Sequence, residues 1–217
     1  PAVVEPQTPA LGARRAAKHR IGGVTRRGKN ILIPLSGGYT IRVHLRLSGE
    51  LHTGEAGASS RVILRLNGSK QLVFDEPRAL GTVHVLTEEE LGKALRGLGP
   101  EPLSREFKIE PFVEAARKSK LPAKLFLMSQ KYVAGLGNIY AAEALFRAGI
   151  DPRKPMGKVR PDKVEALHAA IRETLRGAVK SVKIAYNRRK YKEAAGFVRS
   201  VYGREGEPCL RCGARIR

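Results

Sequence analysis

Cysteine is nearly absent. Two thiols in 217 residues, spaced as Cys209-x-x-Cys212, exclude a disulfide framework and fit a reducing, cytoplasmic setting. No apolar run approaches membrane-spanning length and no signal-peptide pattern opens the chain, so neither a membrane anchor nor a secreted scaffold is expected. Acidic side chains are also scarce: 20 Asp and Glu stand against 41 Lys and Arg, giving a formal charge of +21 and a pI near 10.6. The cations recur along the whole chain, with dense runs at Arg14-Arg15, Arg26-Arg27-Gly28-Lys29 and Arg188-Arg189-Lys190. A globular chain this cationic binds a polyanion, nucleic acid first. No internal repeat is present, and 42% hydrophobic residues suffice for the cores of one large or two modest domains.

Residues Tyr39 to Leu47 alternate, with Ile41, Val43, Leu45 and Leu47 on one face and Arg42, His44 and Arg46 on the other. That pattern predicts a half-buried strand with a basic second face. Ile31 to Leu35 reads as a second strand, joined to the first through Ser36-Gly37-Gly38. Arg61 to Leu66 and Gln71 to Phe74 flank Asn67-Gly68, which suits a type I′ hairpin turn, and Thr82 to Leu86 adds a further strand. Thr87-Glu88-Glu89-Glu90 is a capping box that opens a helix toward Leu95. Helices are then expected over Leu121 to Gln130, over Asn138 to Ala148 closed by Gly149, and over Asp162 to Ser181. The last carries Val164, Leu167, Ile171, Leu175 and Val179 along one face. The expected class is α+β, an N-terminal antiparallel β-sandwich followed by a helical domain.

The most informative stretch is Gln130-Lys131-Tyr132-Val133-Ala134-Gly135-Leu136-Gly137-Asn138-Ile139-Tyr140, continuing to Glu143 and Phe146. It reads as a helix, a glycine-rich turn and a second helix opening at Asn138. Glycines admit close backbone approach, and a helix N-terminus offers N–H groups and a positive dipole end, so the combination suits a phosphate. Together with Val201-Tyr202-Gly203-Arg204 and Cys209-x-x-Cys212, it resembles the formamidopyrimidine-DNA glycosylase / endonuclease VIII family. Leu98-Gly99-Pro100-Glu101-Pro102-Leu103 favours the formamidopyrimidine branch.

The resemblance implies a helix–two-turn–helix motif, with Asn138 and the amides around Gly137 on DNA phosphates. It implies that Lys29, in Arg26-Arg27-Gly28-Lys29, contacts phosphate beside the lesion and assists catalysis. It makes Leu47, Arg78 and Leu80 a trio that fills the gap left by an extruded base, where the family usually carries Met and Phe at the two Leu places. Packing in the core is the alternative for both leucines. Pro1 matches the family's N-terminal nucleophile and Glu5 a second acidic residue, but Ala2 stands where a glutamate follows that proline. Cys209 and Cys212 make half of a tetrahedral zinc site, so structural Zn2+ is expected only if the chain continues beyond Arg217.

The implied domains are a catalytic β-sandwich over residues 1–86, a helical domain over 87–200 and the first half of a zinc finger over 201–217. The implied function is a bifunctional glycosylase and abasic-site lyase excising oxidised purines from double-stranded DNA. A monomer, cytoplasmic and nucleoid-associated in a bacterial setting, goes with it. A catalytically disabled binder of damaged or abasic DNA on the same scaffold is the alternative, and an RNA-binding protein, supported by charge alone, is a third. The lesion-reading loop is expected within Lys183 to Gly196.

Overall fold

The computed structural model describes residues 3–6, 13–187 and 196–217. By internal contacts the chain divides into two units, Pro1–Gly97 and Leu98–Arg217.

The first unit holds eight strands: β1 (Val3–Pro6), β2 (Thr25–Arg27), β3 (Asn30–Pro34), β4 (Tyr39–His44), β5 (Glu50–Thr53), β6 (Ser60–Arg65), β7 (Gln71–Asp75) and β8 (Thr82–Thr87). They form two antiparallel four-stranded sheets, ordered β1-β6-β7-β5 and β2-β3-β4-β8. Ile33, Ile41, Val43, Val83 and Val85 from one sheet meet Val62, Leu64 and Phe74 from the other in a single buried cluster, which makes the unit a sandwich. Thr87 caps helix α1 (Glu88–Leu95) with the reciprocal bonds of a capping box: Glu90 N–H to Thr87 Oγ1 at 3.2 Å and Thr87 N–H to Glu90 Oε2 at 2.8 Å.

Three expectations shift here. The alternation through Leu47 overruns the strand, since β4 ends at His44, Arg46 takes a left-handed φ of 58° and Gly49 N–H bonds back to Leu45 O at 3.0 Å. The 61–74 hairpin forms, but Gly68 alone takes up the left-handed conformation (φ 73°), so the connection is wider than a type I′ turn. Strands β1, β2 and β5 add to the expected set; each is four residues or fewer, too short for periodicity to mark.

The second unit contains α2 (Ile109–Lys118), α3 (Ala123–Met128), α4 (Asn138–Ala148) and α5 (Pro161–Asn187). α4 has the expected bounds, with Gly149 as its left-handed cap (φ 65°, ψ 44°). α3 is shorter than the sequence suggests because Pro122 stands at its N-cap and the chain leaves helical geometry at Ser129. Phe112, Phe126, Leu127, Leu136, Leu145, Leu167 and Ile171 share one core. The expected apolar face of α5 is buried at Val164, Leu167 and Ile171, but Val179 emerges into solvent as the helix outruns that core. α2 adds to the expected helices, with Phe112 and Ala116 buried and Val113 packed against the same core.

Candidate nucleic-acid interface

Sheet register brings the first unit's loops together. His44 pairs with Thr82, and Glu50 pairs with Asp75. The connections 45–49 and 76–81 therefore leave and re-enter the two sheets at the same places, and must cross the end of the sandwich side by side. Glu76 lies between them with none of its surface exposed. Its carboxylate accepts from Ser48 Oγ–H, from the Arg78 N–H at 3.0 Å and from the Gly81 N–H at 3.0 Å. Burial pushes the carboxyl up, but the Ser48, Arg78 and Gly81 bonds outweigh it and hold the group below its ordinary value. Phe74 is the second post. A Cβ on Gly49 would come within 2.9 Å of its ring and one on Gly81 within 2.6 Å, so both loops must be glycine where they cross it.

Bracing from beneath leaves the tips outside. Leu47 is 74% exposed and Leu80 48% exposed, so neither is a core residue. Arg78 stands between them in sequence on the braced loop, its Nε donating to Ser48 Oγ at 2.9 Å. Ala79 has a left-handed φ of 53°, which turns the chain between Arg78 and Leu80.

Lys29 is exposed on the tight β2–β3 turn. Buried Asn30 donates to Arg27 O at 3.0 Å and accepts from Arg42 Nε at 2.8 Å, while Arg26 donates to Gly28 O at 2.6 Å. Burial, then the charges of Arg46, Arg42 and Lys29, lower the pKa of His44. Its Nδ1 accepts the Arg46 N–H at 3.1 Å, which leaves Nε2 to carry the proton of a neutral ring. This edge of the sandwich is a field of positive charge suited to an anion.

In the second unit Gln130 folds the turn between α3 and α4. Its Nε2 donates to Met128 O at 3.0 Å and Leu136 O at 3.1 Å, and its Oε1 accepts the Gly135 N–H at 2.7 Å. The Leu98-Gly99-Pro100 segment lies against this turn, with Gly99 N–H to Gln130 O at 2.8 Å and Ala134 N–H to Pro100 O at 3.0 Å. Gly137 is the N-cap and offers no side chain, so the opening turn of α4 has no side-chain cap. Asn138 is exposed there, its Nδ2 donating to Tyr202 Oη at 3.2 Å. Glu143, 4% exposed, accepts the N–H groups of Ser200 (2.7 Å), Val201 (2.9 Å) and Tyr202 (2.9 Å), and so fixes the segment that carries the phenol.

Pro1 lies outside the described residues, as do the side chain of Glu5 and residues 188–195 of the expected lesion-reading loop. The backbone of Glu5 belongs to β1, opposite Ile63. Cys209 and Cys212 sit on a terminal knuckle, where Gly213 N–H bonds Cys209 O at 2.9 Å. The N–H groups of Arg211 and Cys212 lower the Cys209 thiol below its ordinary value. Among the described residues no three His, Cys, Asp or Glu side chains gather as a metal site. Two thiols are half of what tetrahedral zinc needs, so the residues present do not fit that ion.

Both units match known sequences. Residues 1–83 match the formamidopyrimidine-DNA glycosylase N-terminal domain, and residues 98–189 the formamidopyrimidine-DNA glycosylase H2TH domain. A formamidopyrimidine-DNA glycosylase from Chloroflexus aggregans is 37% identical over 228 residues, covering 100% of this chain and 81% of that protein.

The chain belongs to the formamidopyrimidine-DNA glycosylase family.

The namesake from Moorella thermoacetica is 36% identical, covering 98% of this chain and 81% of its own length. Among solved structures, the MutM (FPG) protein from Thermus thermophilus superposes with a TM-score of 0.85 at 33% identity, covering 98% of this chain and 83% of that one. The Lactococcus lactis protein in complex with FAPY-dG containing DNA superposes with a TM-score of 0.86 at 28% identity, covering 98% and 84%. The family is one of DNA-repair glycosylases, and the sandwich-then-helices order found here is its fold.

Residue type and motif single out Leu47, Arg78, Leu80, Lys29 and Asn138 as candidates but give no role to Glu76, Glu143, Ser48 or Tyr202. A glutamate next to a proline, or in the middle of a helix, reads as solvated. The spare signal was composition: in a chain with 20 acidic residues, each one surrounded by cations asks for a reason.

Proposed function

We propose that this chain is a bifunctional DNA glycosylase and abasic-site lyase that removes oxidised purines, 8-oxoguanine and formamidopyrimidines among them, from duplex DNA. The observation that carries the reading is the pair of exposed leucines flanking a braced Arg78. Leu47 and Leu80 stay outside the buried core, whereas an enzyme that extrudes a nucleotide must refill the stack with apolar groups and face the widowed base with a donor. Lys29 and Asn138 supply cation and amide donors for the flanking phosphates, which hold the strand without reading it.

The chemistry requires an amine. Its lone pair attacks C1′ and the glycosidic C1′–N bond breaks, the base leaving with a proton. The new C1′–N ammonium loses its proton, and its lone pair then forms the C=N bond as C1′–O4′ breaks and O4′ takes up a proton, giving an iminium (protonated imine). Removal of a C2′ proton then expels the 3′ phosphate oxygen, which is the lyase step. Pro1 is the amine named by resemblance.

One observation favours a second reading, a non-enzymatic binder of damaged or abasic DNA. Ala2 stands where the family's pattern carries a glutamate. Borohydride separates the two readings, since it reduces an imine to a permanent link. Duplex bearing 8-oxoguanine or an abasic site should give a cross-linked band, and one added residue before Pro1 should abolish it with binding retained. Tight binding without any band makes the chain a binder.

A further inference from the structure

Arg78 is an exposed, rotamer-rich side chain, and an unheld guanidinium cannot tell one base edge from another. Here it is held. The Nε donates to Ser48 Oγ at 2.9 Å, a bond that does not engage the Nη groups of the fork. Ser48 can serve as that acceptor only while its own proton is directed elsewhere, and the buried Glu76 carboxylate takes that proton. Glu76 is fixed in turn by the Arg78 and Gly81 N–H groups at 3.0 Å each. Ser48 itself is set by backbone: Arg46 is left-handed, and Gly49 lies so close to Leu45 O (2.5 Å to a built Cβ) that the turn has little room to relax.

We propose that Ser48 is a specificity-determining positioning residue. Its hydroxyl, polarised by Glu76, aims the Arg78 fork at the base opposite the lesion and so sets the discrimination among opposite bases. The inference rests on the reading of Arg78 given above. It predicts that a single hydroxyl, touching no DNA, controls selectivity while leaving the phosphate grip intact.

The test uses binding alone, so it does not depend on catalysis. Affinities of the full chain are measured for four duplexes carrying a stable abasic analogue opposite each of the four bases. The spread between the best and worst opposite base is the readout. Arg78→Ala should compress that spread by roughly tenfold, the scale of one lost arginine–base contact. Ser48→Ala should compress it to the same extent, the double variant should add nothing further, and Ser48→Thr, which restores the hydroxyl, should keep the wild-type spread. Unfolding midpoints of all variants confirm that each is folded. If Ser48→Ala keeps the spread that Arg78→Ala loses, or weakens all four duplexes equally, the Ser48 inference is overturned. If Arg78→Ala itself keeps the spread, the opposite-base reading of Arg78 fails and the inference falls with it.

Discussion

In the sandwich unit, buried Glu76 collects a hydroxyl and two amide protons from two loops whose partners lie 28, 2 and 5 residues away. In the helical unit, buried Glu143 collects three consecutive amide protons from a single segment 57 to 59 residues away. Each carboxylate is saturated, so neither is a free charge seeking substrate. They differ in what they anchor. Glu143 receives a row of backbone amides that can hardly move independently, and the result is a rigid mount for Tyr202 and, through it, Asn138. Glu76 joins short loops with left-handed residues at Arg46 and Ala79 and side chains at their tips. Phosphates are the same at every step of a duplex and suit a grip by backbone and fixed donors; bases differ, and reading them needs a side chain held in one aim.

The largest effect should come from the rigid side. Glu143→Ala removes the shared acceptor of three part-buried N–H groups, each bond worth about 1 kcal/mol net, so a loss of about 3 kcal/mol is expected. Urea denaturation reads it directly. Glu76→Ala should cost less, since its loops can re-form bonds with water. Equal losses would erase the distinction between the two anchors.

Next comes a steric test in the helical unit. A Cβ on Gly99 would sit 2.4 Å from Lys131 O, a backbone atom that cannot yield cheaply. Gly99→Ala should destabilise by about 1–3 kcal/mol and weaken DNA binding by displacing the turn before Asn138. Gly177, exposed on α5 with nothing within 4 Å of a built Cβ, is the control. There the same substitution should stabilise by about 0.5–1 kcal/mol. Thermal midpoints that move in the same direction would contradict both assignments.

The bounds of α4 were legible because local chemistry writes them: Gly137-Asn138 at the start and left-handed Gly149 at the end. The capping box at Thr87 was legible for the same reason. The end of β4 was not, because Leu45 and Leu47 continue the alternation past the point where register with β8 stops. Glu76 and Ser48 were invisible because their meeting is made by two sheets at once, through the pairings of His44 with Thr82 and Glu50 with Asp75. No window of sequence contains both loops. The exposed candidates are visible by type and motif, whereas the residues that hold them depend on topology.

A smaller effect compares the phosphate contacts proposed for the two units. Asn138→Ala and Lys29→Ala should each weaken binding to abasic duplex. Lys29→Ala should reduce the slope of log affinity against log salt by about 0.9, the value for one cation on duplex DNA, whereas Asn138→Ala removes a neutral donor and should flatten it less. Identical slopes in wild type and Lys29→Ala would remove Lys29 from the interface.

The smallest expected effect is a matter of pH, and it tests Glu76 alone. Glu76 is held below its ordinary value of 4.5 against the opposing effect of burial. A carboxyl whose folded-state pKa is depressed contributes stability that is complete above the unfolded value and is lost as pH falls through the folded value. Wild-type stability should therefore decline below about pH 4.5 with a component that Glu76→Gln lacks, so the two unfolding curves should converge as the solution is acidified. Protonation would also free the Ser48 hydroxyl to turn, so the opposite-base spread should narrow in wild type over the same acid range while overall affinity is set by the phosphates. A Glu76→Gln protein whose stability falls in parallel with wild type down to low pH would show that other carboxylates, not this one, carry the acid sensitivity. Glu76 would then be a packing element whose charge is incidental to the loops it joins.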